Sequence, residues 1–372
     1  MHFETRALQA TRTHDTQTSA VATPIYLSTT FERNEENLLP NGFIYSRTAN
    51  PNRDALEKAC AALEGGEVAV AFASGQAATT TLLQCLRPHD HVLIPDDAYF
   101  GTPAILQAHF DHWGLTCTKV DMTDLEAVSA AFQANTKLVW VETPSNPLLK
   151  IADLQAIAQL ARAHNARCVC DNTWATPVLQ RPLEHGFDAV MHATTKYFGG
   201  HSDLLGGCLV FKQNGELAQR ARQLQQLGGA VPSAFDCWLL LRGIKTLALR
   251  VRQQSANAAQ LAAFLATHPR VERVNYPGLE SHVGYEIAQR QMEMAGAMLS
   301  FQLKDGAAAA LLVKSKVQLF IRATSLGGVE SLIEHRATAE GPLSTTPPNL
   351  LRVSVGLEHP NDLIADLAQA LG

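Results

Sequence analysis

The sequence predicts an α/β protein built on a mostly parallel sheet, followed by a smaller C-terminal α/β domain. Short apolar runs alternate with amphipathic helical stretches from about residue 52 to residue 212, the pattern of a parallel sheet covered on both faces. A long helical pattern then begins near Thr246, and beyond it strand-like runs return on a smaller scale. In such folds ligands bind at the carboxyl ends of the strands, so the residues that close each apolar run are the first to inspect.

Residues 1–51 are rich in Thr, Asn and Pro and weakly periodic, and read as an arm that needs a surface to lie on, expected on a neighbouring subunit. Residues 52–245 form the expected ligand-binding domain. Its strands are read at 68–72, 91–94, 137–142, 167–170, 189–192 and 208–212, with a helix over 153–162 that places apolar residues at helical spacing. Residues 246–372 form the C-terminal domain. Its first helix runs through 261–265 and stops at Pro269; strands follow at 298–303, 317–321 and 350–355, with an alanine-rich helix over 307–313.

At 372 residues the chain exceeds one typical core, which agrees with two domains. With 46% hydrophobic and 17% charged residues it has the balance of a globular protein rather than a disordered one. A net charge of −5 without a basic stripe argues against nucleic acid as a partner. No apolar run is long enough to span a bilayer and residues 1–6 lack a secretion-signal core, so no membrane association and a cytoplasmic location are expected. Seven cysteines without C-x-x-C spacing read as reduced structural thiols.

Lys196 follows the apolar run 189–192 and precedes Gly199-Gly200. A lone lysine is usually a solvated surface charge, but the flanks of this one are small, hydroxylated and apolar. One strand–helix unit upstream, Asp171 closes the run 167–170. An amine that condenses with an aldehyde and an acid that pairs with a pyridinium nitrogen are the minimum protein equipment for pyridoxal phosphate chemistry. Ser74-Gly75-Gln76 after the first strand opens a helix, where free backbone N–H groups and the helix dipole favour a phosphate. Thr195 adds a hydroxyl, and Tyr99 offers a ring to stack on a flat cofactor.

In combination, Thr195-Lys196-Tyr197 with Gly200-His201-Ser202-Asp203, Tyr45-Ser46-Arg47, Glu142-Thr143-Pro144-Ser145-Asn146-Pro147 and Ser325-Leu326-Gly327-Gly328-Val329-Glu330-Ser331 resemble the pyridoxal-phosphate-dependent enzymes of Cys/Met metabolism. The resemblance covers nearly the whole chain and implies a fold type I transferase with a mostly parallel seven-stranded sheet. It implies that Lys196 is the Schiff-base lysine and proton shuttle, Asp171 the pyridinium partner, and Tyr99 the stacking and proton-transfer tyrosine. It also implies that Gly75, Gln76, Thr195, Thr173 and Asn146 border the cofactor. Tyr45 and Arg47 are implied to reach the neighbouring subunit's phosphate site, giving a homodimer with shared sites and, beyond it, a homotetramer. Arg352 matches the arginine that clamps the substrate α-carboxylate, with Ser325 and Asn146 near it, and Glu330 matches a carboxylate near the distal amino group of cystathionine.

The chain departs from the family pattern at Ala193, where a serine is usual, so a phosphate hydroxyl is missing; Thr194, one position on along a strand, faces the other way. Gln76 stands for the commoner methionine and Asn52 for a threonine. Within the family, Glu330 favours the cystathionine γ-synthase and γ-lyase branch over β-lyases, and Gly101 stands where methionine γ-lyases carry a cysteine. The expected reaction is γ-replacement on an O-acyl-L-homoserine by L-cysteine, giving cystathionine. The alternatives are γ-elimination from cystathionine, an O-acetylhomoserine sulfhydrylase activity and, in a different class, a non-catalytic cofactor-binding regulator. A nicotinamide fingerprint is absent after the first strand, and His201 with Asp203 offers too few ligands for a metal.

Overall fold

The structure is a computed structural model, and it describes every residue except His14, Thr16, Pro342 and Leu343. The described residues form eleven strands: β1 (Val68–Phe72), β2 (His91–Pro95), β3 (Thr116–Val120), β4 (Thr136–Glu142), β5 (Arg167–Asp171), β6 (Ala189–His192), β7 (Gly207–Phe211), β8 (Val271–Asn275), β9 (Met298–Leu303), β10 (Leu332–His335) and β11 (Leu350–Ser354). The first seven make one sheet in the order β1-β7-β6-β5-β4-β2-β3, and the last four a second sheet in the order β10-β11-β9-β8. In the large sheet β3, β2, β4, β5 and β6 pair in parallel, while β7 runs antiparallel between β6 and β1.

Strict alternation divides the large sheet between two cores. Val70, Phe72, Val92, Ile94, Trp140, Val169, Met191 and Leu209 pack on one side. Ala69, Ala71, Leu93, Val139, Val141, Cys168, Cys170, Val190 and Cys208 pack on the other. All seven cysteines are free. The helices that cover the sheet start where the sequence supplies caps. Asn50 accepts from Asn52 N ahead of the helix Pro51–Glu64, which ends on the left-handed Gly65. Ser74 accepts from Ala77 N at the start of Gly75–Gln84, and Asp153 from Ala156 N at the start of Leu154–Ala163. Leu154, Ile157, Ala158 and Ala161 form the buried stripe of that last helix.

The antiparallel strand β7 is pressed close against the first helix turn. A Cβ at Gly207 would stand 2.2 Å from Ser74 O, so only glycine lets β7 pass beneath the Ser74 turn. The second sheet encloses its own core, with Phe301, Ile333 and Val353 against Leu261, Leu265, Leu363 and Leu367. Contacts such as Ser300 Oγ donating to Pro147 O at 2.8 Å fix it to the large sheet.

Three expectations require correction. Residues 317–321 are not a strand: the Asp366 carboxylate accepts the N–H groups of Gln318, Leu319 and Phe320, so these donors are spent locally, and only Ile321 makes an isolated bridge to Leu332. The other two strands of the small sheet, beside β9 and β11, are instead β8 and β10, short runs interrupted by charges. The edge strand β3 was also not foreseen, because most of its side chains are exposed and it lacks an apolar run. Finally, β6 stops at His192, so Thr194 and Lys196 lie in the turn beyond the strand rather than on it. The arm begins with a helix, Phe3–Ala10, whose Phe3 and Ala7 are buried in the main core of this same chain.

Trp140, at the centre of β4, is 1% exposed and its Nε1 has no partner, so it contributes through packing alone. Trp140→Ala is expected to lower stability by about 3–5 kcal/mol, read as a lower urea midpoint, whereas Trp140→Phe, which removes the orphaned donor, should cost much less.

Candidate active site

Parallel pairing brings the carboxyl ends of β4, β5 and β6 to one edge, and Glu142 and Asp171 stand opposite each other there. A cleft of about 460 Å³ opens at this edge. Gly75, Gln76, Tyr99, Asn146, Asp171, Thr173, Thr195, Lys196, Ser325 and Arg352 all line it, so residues spread over most of the sequence converge on one space. Tyr45, Arg47 and Glu330 are outside this lining. Another cleft, of about 550 Å³, lies at the opposite end of β5 and β6 around Arg162, Arg167, Asp188 and Lys212, and gathers none of these groups.

Lys196 Nζ donates to Ser325 Oγ at 2.6 Å. Burial first, and then the charge of Arg352, pushes its pKa down from 10.5 to about 8. Ser325 holds a left-handed backbone at φ 84°, a conformation that costs a non-glycine residue about 1–3 kcal/mol. That turn lets its hydroxyl meet Lys196 while its carbonyl accepts from Arg352 Nη2 at 3.1 Å. Arg352 Nη1 also donates to Asn146 Oδ1 at 3.1 Å, and Nη2 lies 2.7 Å from Glu334 Oε2. Burial lowers the Arg352 pKa to about 10, which leaves it a cation at neutral pH.

Asp171 accepts from Thr173 N at 3.0 Å. Burial raises its pKa, and the Thr173 hydrogen bonds, His192 and Lys196 oppose that rise. Behind it, His192 Nε2 is 2.6 Å from Glu64 Oε1, and Asn172 donates to the same oxygen at 2.9 Å. Glu142 takes the backbone N–H of Tyr99 at 2.7 Å and so fixes the loop that carries the ring. Burial and then Asp171 drive the Glu142 pKa well upward. A Cβ at Gly101 would stand 2.4 Å from Tyr99 Cε1, so the ring occupies the space that a side chain at 101 would need.

At the other end of the cleft, the Gly75 and Gln76 N–H groups sit at the first turn of their helix, where no intrahelical acceptor exists. The Gln76 side chain donates to Gly101 O at 3.0 Å, so only its backbone N–H is free to meet an anion. Thr195 Oγ1 accepts from Gly206 N at 3.0 Å. Ala193 lines the cleft without a hydroxyl, and Thr194 is fully buried with an unpartnered Oγ1 outside the lining, so it does not replace the missing serine. A helix N-terminus for an anion, a carboxylate, an aromatic ring and a buried amine lining one cleft fit pyridoxal phosphate in chemical character. Glu142, Glu334 and Arg336 also line the cleft and were not anticipated as site residues. The available signal was charge inside or beside apolar runs, as in Leu332-Ile333-Glu334.

A family model described as Cys/Met metabolism PLP-dependent enzyme matches residues 4–372. The chain is 50% identical to a cystathionine gamma-synthase of Mycobacterium tuberculosis (strain ATCC 25618 / H37Rv) over 374 residues, covering 99% of this chain and 96% of that protein. A solved structure of metB from Corynebacterium glutamicum superposes with a TM-score of 0.97 at 44% identity, covering 100% of this chain and 98% of that one. A solved structure of a cystathionine gamma-lyase from Lactobacillus plantarum, complexed with L-serine, superposes with a TM-score of 0.95 at 40% identity, covering 100% of this chain and 98% of that one.

An amine condenses with an aldehyde only in its neutral form, and with its pKa pushed down to about 8 Lys196 would reach that form near this pH. Capture of added pyridoxal phosphate by the apoprotein, followed by absorbance, should therefore quicken as pH rises through about 8 and level off above about 9. A rate still climbing beyond about pH 10 would mean that the amine is not desolvated.

Proposed function

Because the chain belongs to the family of Cys/Met metabolism PLP-dependent enzymes, matched over residues 4–372, we propose that it catalyses γ-replacement on an O-acyl-L-homoserine with L-cysteine, forming L-cystathionine. The Cγ–O bond breaks, the acyl group leaves as a carboxylic acid, and the cysteine sulfur forms the new Cγ–S bond. Pyridoxal phosphate, when bound, supplies an electrophilic aldehyde and a ring that takes up the negative charge developed at the substrate Cα.

The residues divide the remaining work. Gly75 and Gln76 N–H groups, with Thr195, receive the phosphate, Asp171 holds the ring nitrogen protonated, Tyr99 covers the ring, and Thr173 and Asn146 border it. Arg352 binds the substrate α-carboxylate in the geometry a guanidinium fork suits. Lys196 Nζ accepts the Cα proton, and its low pKa lets it give that proton back at neutral pH. Ser325 steers the amine through the 2.6 Å hydrogen bond.

The observation that supports a second amino acid in the reaction is an acidic opening beside the cleft. Ser202, Asp203, Asp236 and Glu330 line it, and it shares Thr195, Leu205, Thr324 and Ser325 with the cleft wall. Ser202 Oγ donates to Glu330 Oε1. Three carboxylates there favour the ammonium group of cysteine or the distal ammonium of cystathionine. Such an opening serves cystathionine formation and cleavage alike; the 50% identity to a cystathionine gamma-synthase favours formation, and γ-elimination is the second reading.

Tyr45 is 44% exposed, with the Arg47 guanidinium 5.7 Å from its ring centroid. Arg47 Nη1 donates to Gln226 O at 2.7 Å, away from this chain's own cleft. We assign both residues to the phosphate site of a neighbouring subunit, in a homodimer that pairs into a tetramer in the cytoplasm, with residues 1–51 as the contacting arm, 52–245 the cofactor domain and 246–372 the C-terminal domain.

Product analysis by mass spectrometry tests the reaction. Holoenzyme given O-succinyl- or O-acetylhomoserine with L-cysteine should release cystathionine rapidly, with little 2-oxobutanoate. Rapid 2-oxobutanoate and cysteine from cystathionine, with little synthesis, would establish the γ-lyase reading instead. For the shared site, Arg47→Ala should lose cofactor more readily, and mixing it with Lys196→Ala should restore part of the activity through hybrid dimers. Absence of rescue after verified subunit exchange would remove Arg47 from the neighbour's site.

A further inference from the structure

The cleft wall formed by β10 and β11 carries more charge than the burial of Arg352 requires. Glu334 and Arg352 are directly opposite each other in the β10–β11 register, so they form a cross-strand pair. One oxygen, Glu334 Oε2, faces two guanidiniums: Arg352 Nη2 at 2.7 Å and Arg336 Nη1 at 3.0 Å. Arg336 is held on its far side by Glu340 Oε1, at 2.7 Å from Nη2 and 3.2 Å from Nε. The other Glu340 oxygen accepts from Ser344 and Thr346. Two arginines and two glutamates thus alternate along the wall, and Glu334 and Arg336 are both buried cleft-lining residues. The Arg336 charge reaches the centre of the cleft: burial raises the Tyr99 pKa, and Arg336 is the leading charge opposing it.

A carboxylate gripped bidentately by Arg352 needs two parallel N–H groups. Nη2 is engaged by Ser325 O and paired with Glu334, so an arriving carboxylate meets a like charge at the donor it needs. Glu334 must give way. A buried carboxylate released with no other cation would be stranded, which is strongly unfavourable.

We propose that Arg336 is a positioning residue for carboxylate recognition: it retains Glu334 while Arg352 turns its guanidinium over to the substrate carboxylate. The inference rests on the reading of Arg352 as the α-carboxylate receptor, and it adds a second arginine that acts through Glu334 without touching substrate. The hydrogen bond from Arg336 Nη1 to Glu334 Oε2 is already in place before substrate arrives, so the exchange needs only a small displacement of Glu334.

Calorimetric titration of the holoenzyme with L-alanine and with L-alaninamide tests this, since the two share an amine and a side chain and differ at the carboxylate. Arg336→Met should weaken alanine binding about tenfold or more while alaninamide changes by less than about twofold. Arg336→Lys should recover part of the loss. The double variant Glu334→Gln/Arg336→Met should bind alanine better than Arg336→Met, because no carboxylate remains to be stranded. Equal weakening of both ligands, or a double variant no better than the single one, overturns the proposal. Arg352→Met provides the separate check: if it weakens both ligands alike, the reading of Arg352 itself fails. Should Arg336→Met not fold by circular dichroism, Arg336→Gln and Arg336→Lys make the same comparison, with the larger selective loss of alanine expected for the neutral variant.

Discussion

Parallel hydrogen bonding of β4, β5 and β6 is the constraint on which the rest of the site depends. It places Glu142, Asp171 and the turn after His192 along one edge, and the antiparallel β7 then admits the Ser74 turn beside them. Because side chains alternate with period two, Asp171 shares its face with Val169 and Trp140, and a one-residue slip would turn the carboxylate away from the cleft. The packed apolar faces that forbid this slip lie beneath the site, so packing of the sheet and placement of the carboxylate are one problem.

The second constraint is electrostatic. Removing an ion from water into a protein interior costs several kcal/mol unless a partner or hydrogen bonds offset it, and this cleft gathers Lys196, Asp171, Glu142, Glu334, Arg336 and Arg352. The structure meets that cost in different ways. The Lys196 pKa drops to about 8, that of Glu142 is pushed well upward, and Arg352, Glu334, Arg336 and Glu340 offset one another in a row. Groups that respond to burial by shifting are those able to move protons, whereas guanidiniums stay charged and serve recognition.

Ser325 connects the two constraints. It belongs to the segment between the helix Gly306–Lys316 and β10, yet its hydroxyl meets the lysine in the turn after β6 and its carbonyl meets Arg352. Its left-handed backbone is held by neighbours on both sides, including Gly327 N donating to Ser354 Oγ at 2.9 Å. Lys196 and Arg352 are thereby both tied to one residue with a left-handed backbone.

The sequence by itself determined the strands of the large sheet that are apolar runs, the helix opened by Ser74-Gly75-Gln76, and the candidates Lys196, Asp171 and Tyr99, because local periodicity and residue chemistry carry that information; Arg352 became a candidate through the family resemblance. It did not reveal β3, β8 or β10, whose exposed or charged residues blur the alternation, and it misplaced a strand at 317–321, where the distant Asp366 captures three backbone donors. It also left Glu334 and Arg336 unremarked. Their charges acquire meaning only when β10 pairs with β11 and sets Glu334 against Arg352, a contact that no local pattern encodes. Residue types and their local spacing named the chemistry; tertiary structure decided which charges share a buried space, because burial and cross-strand pairing are properties of the assembled sheets.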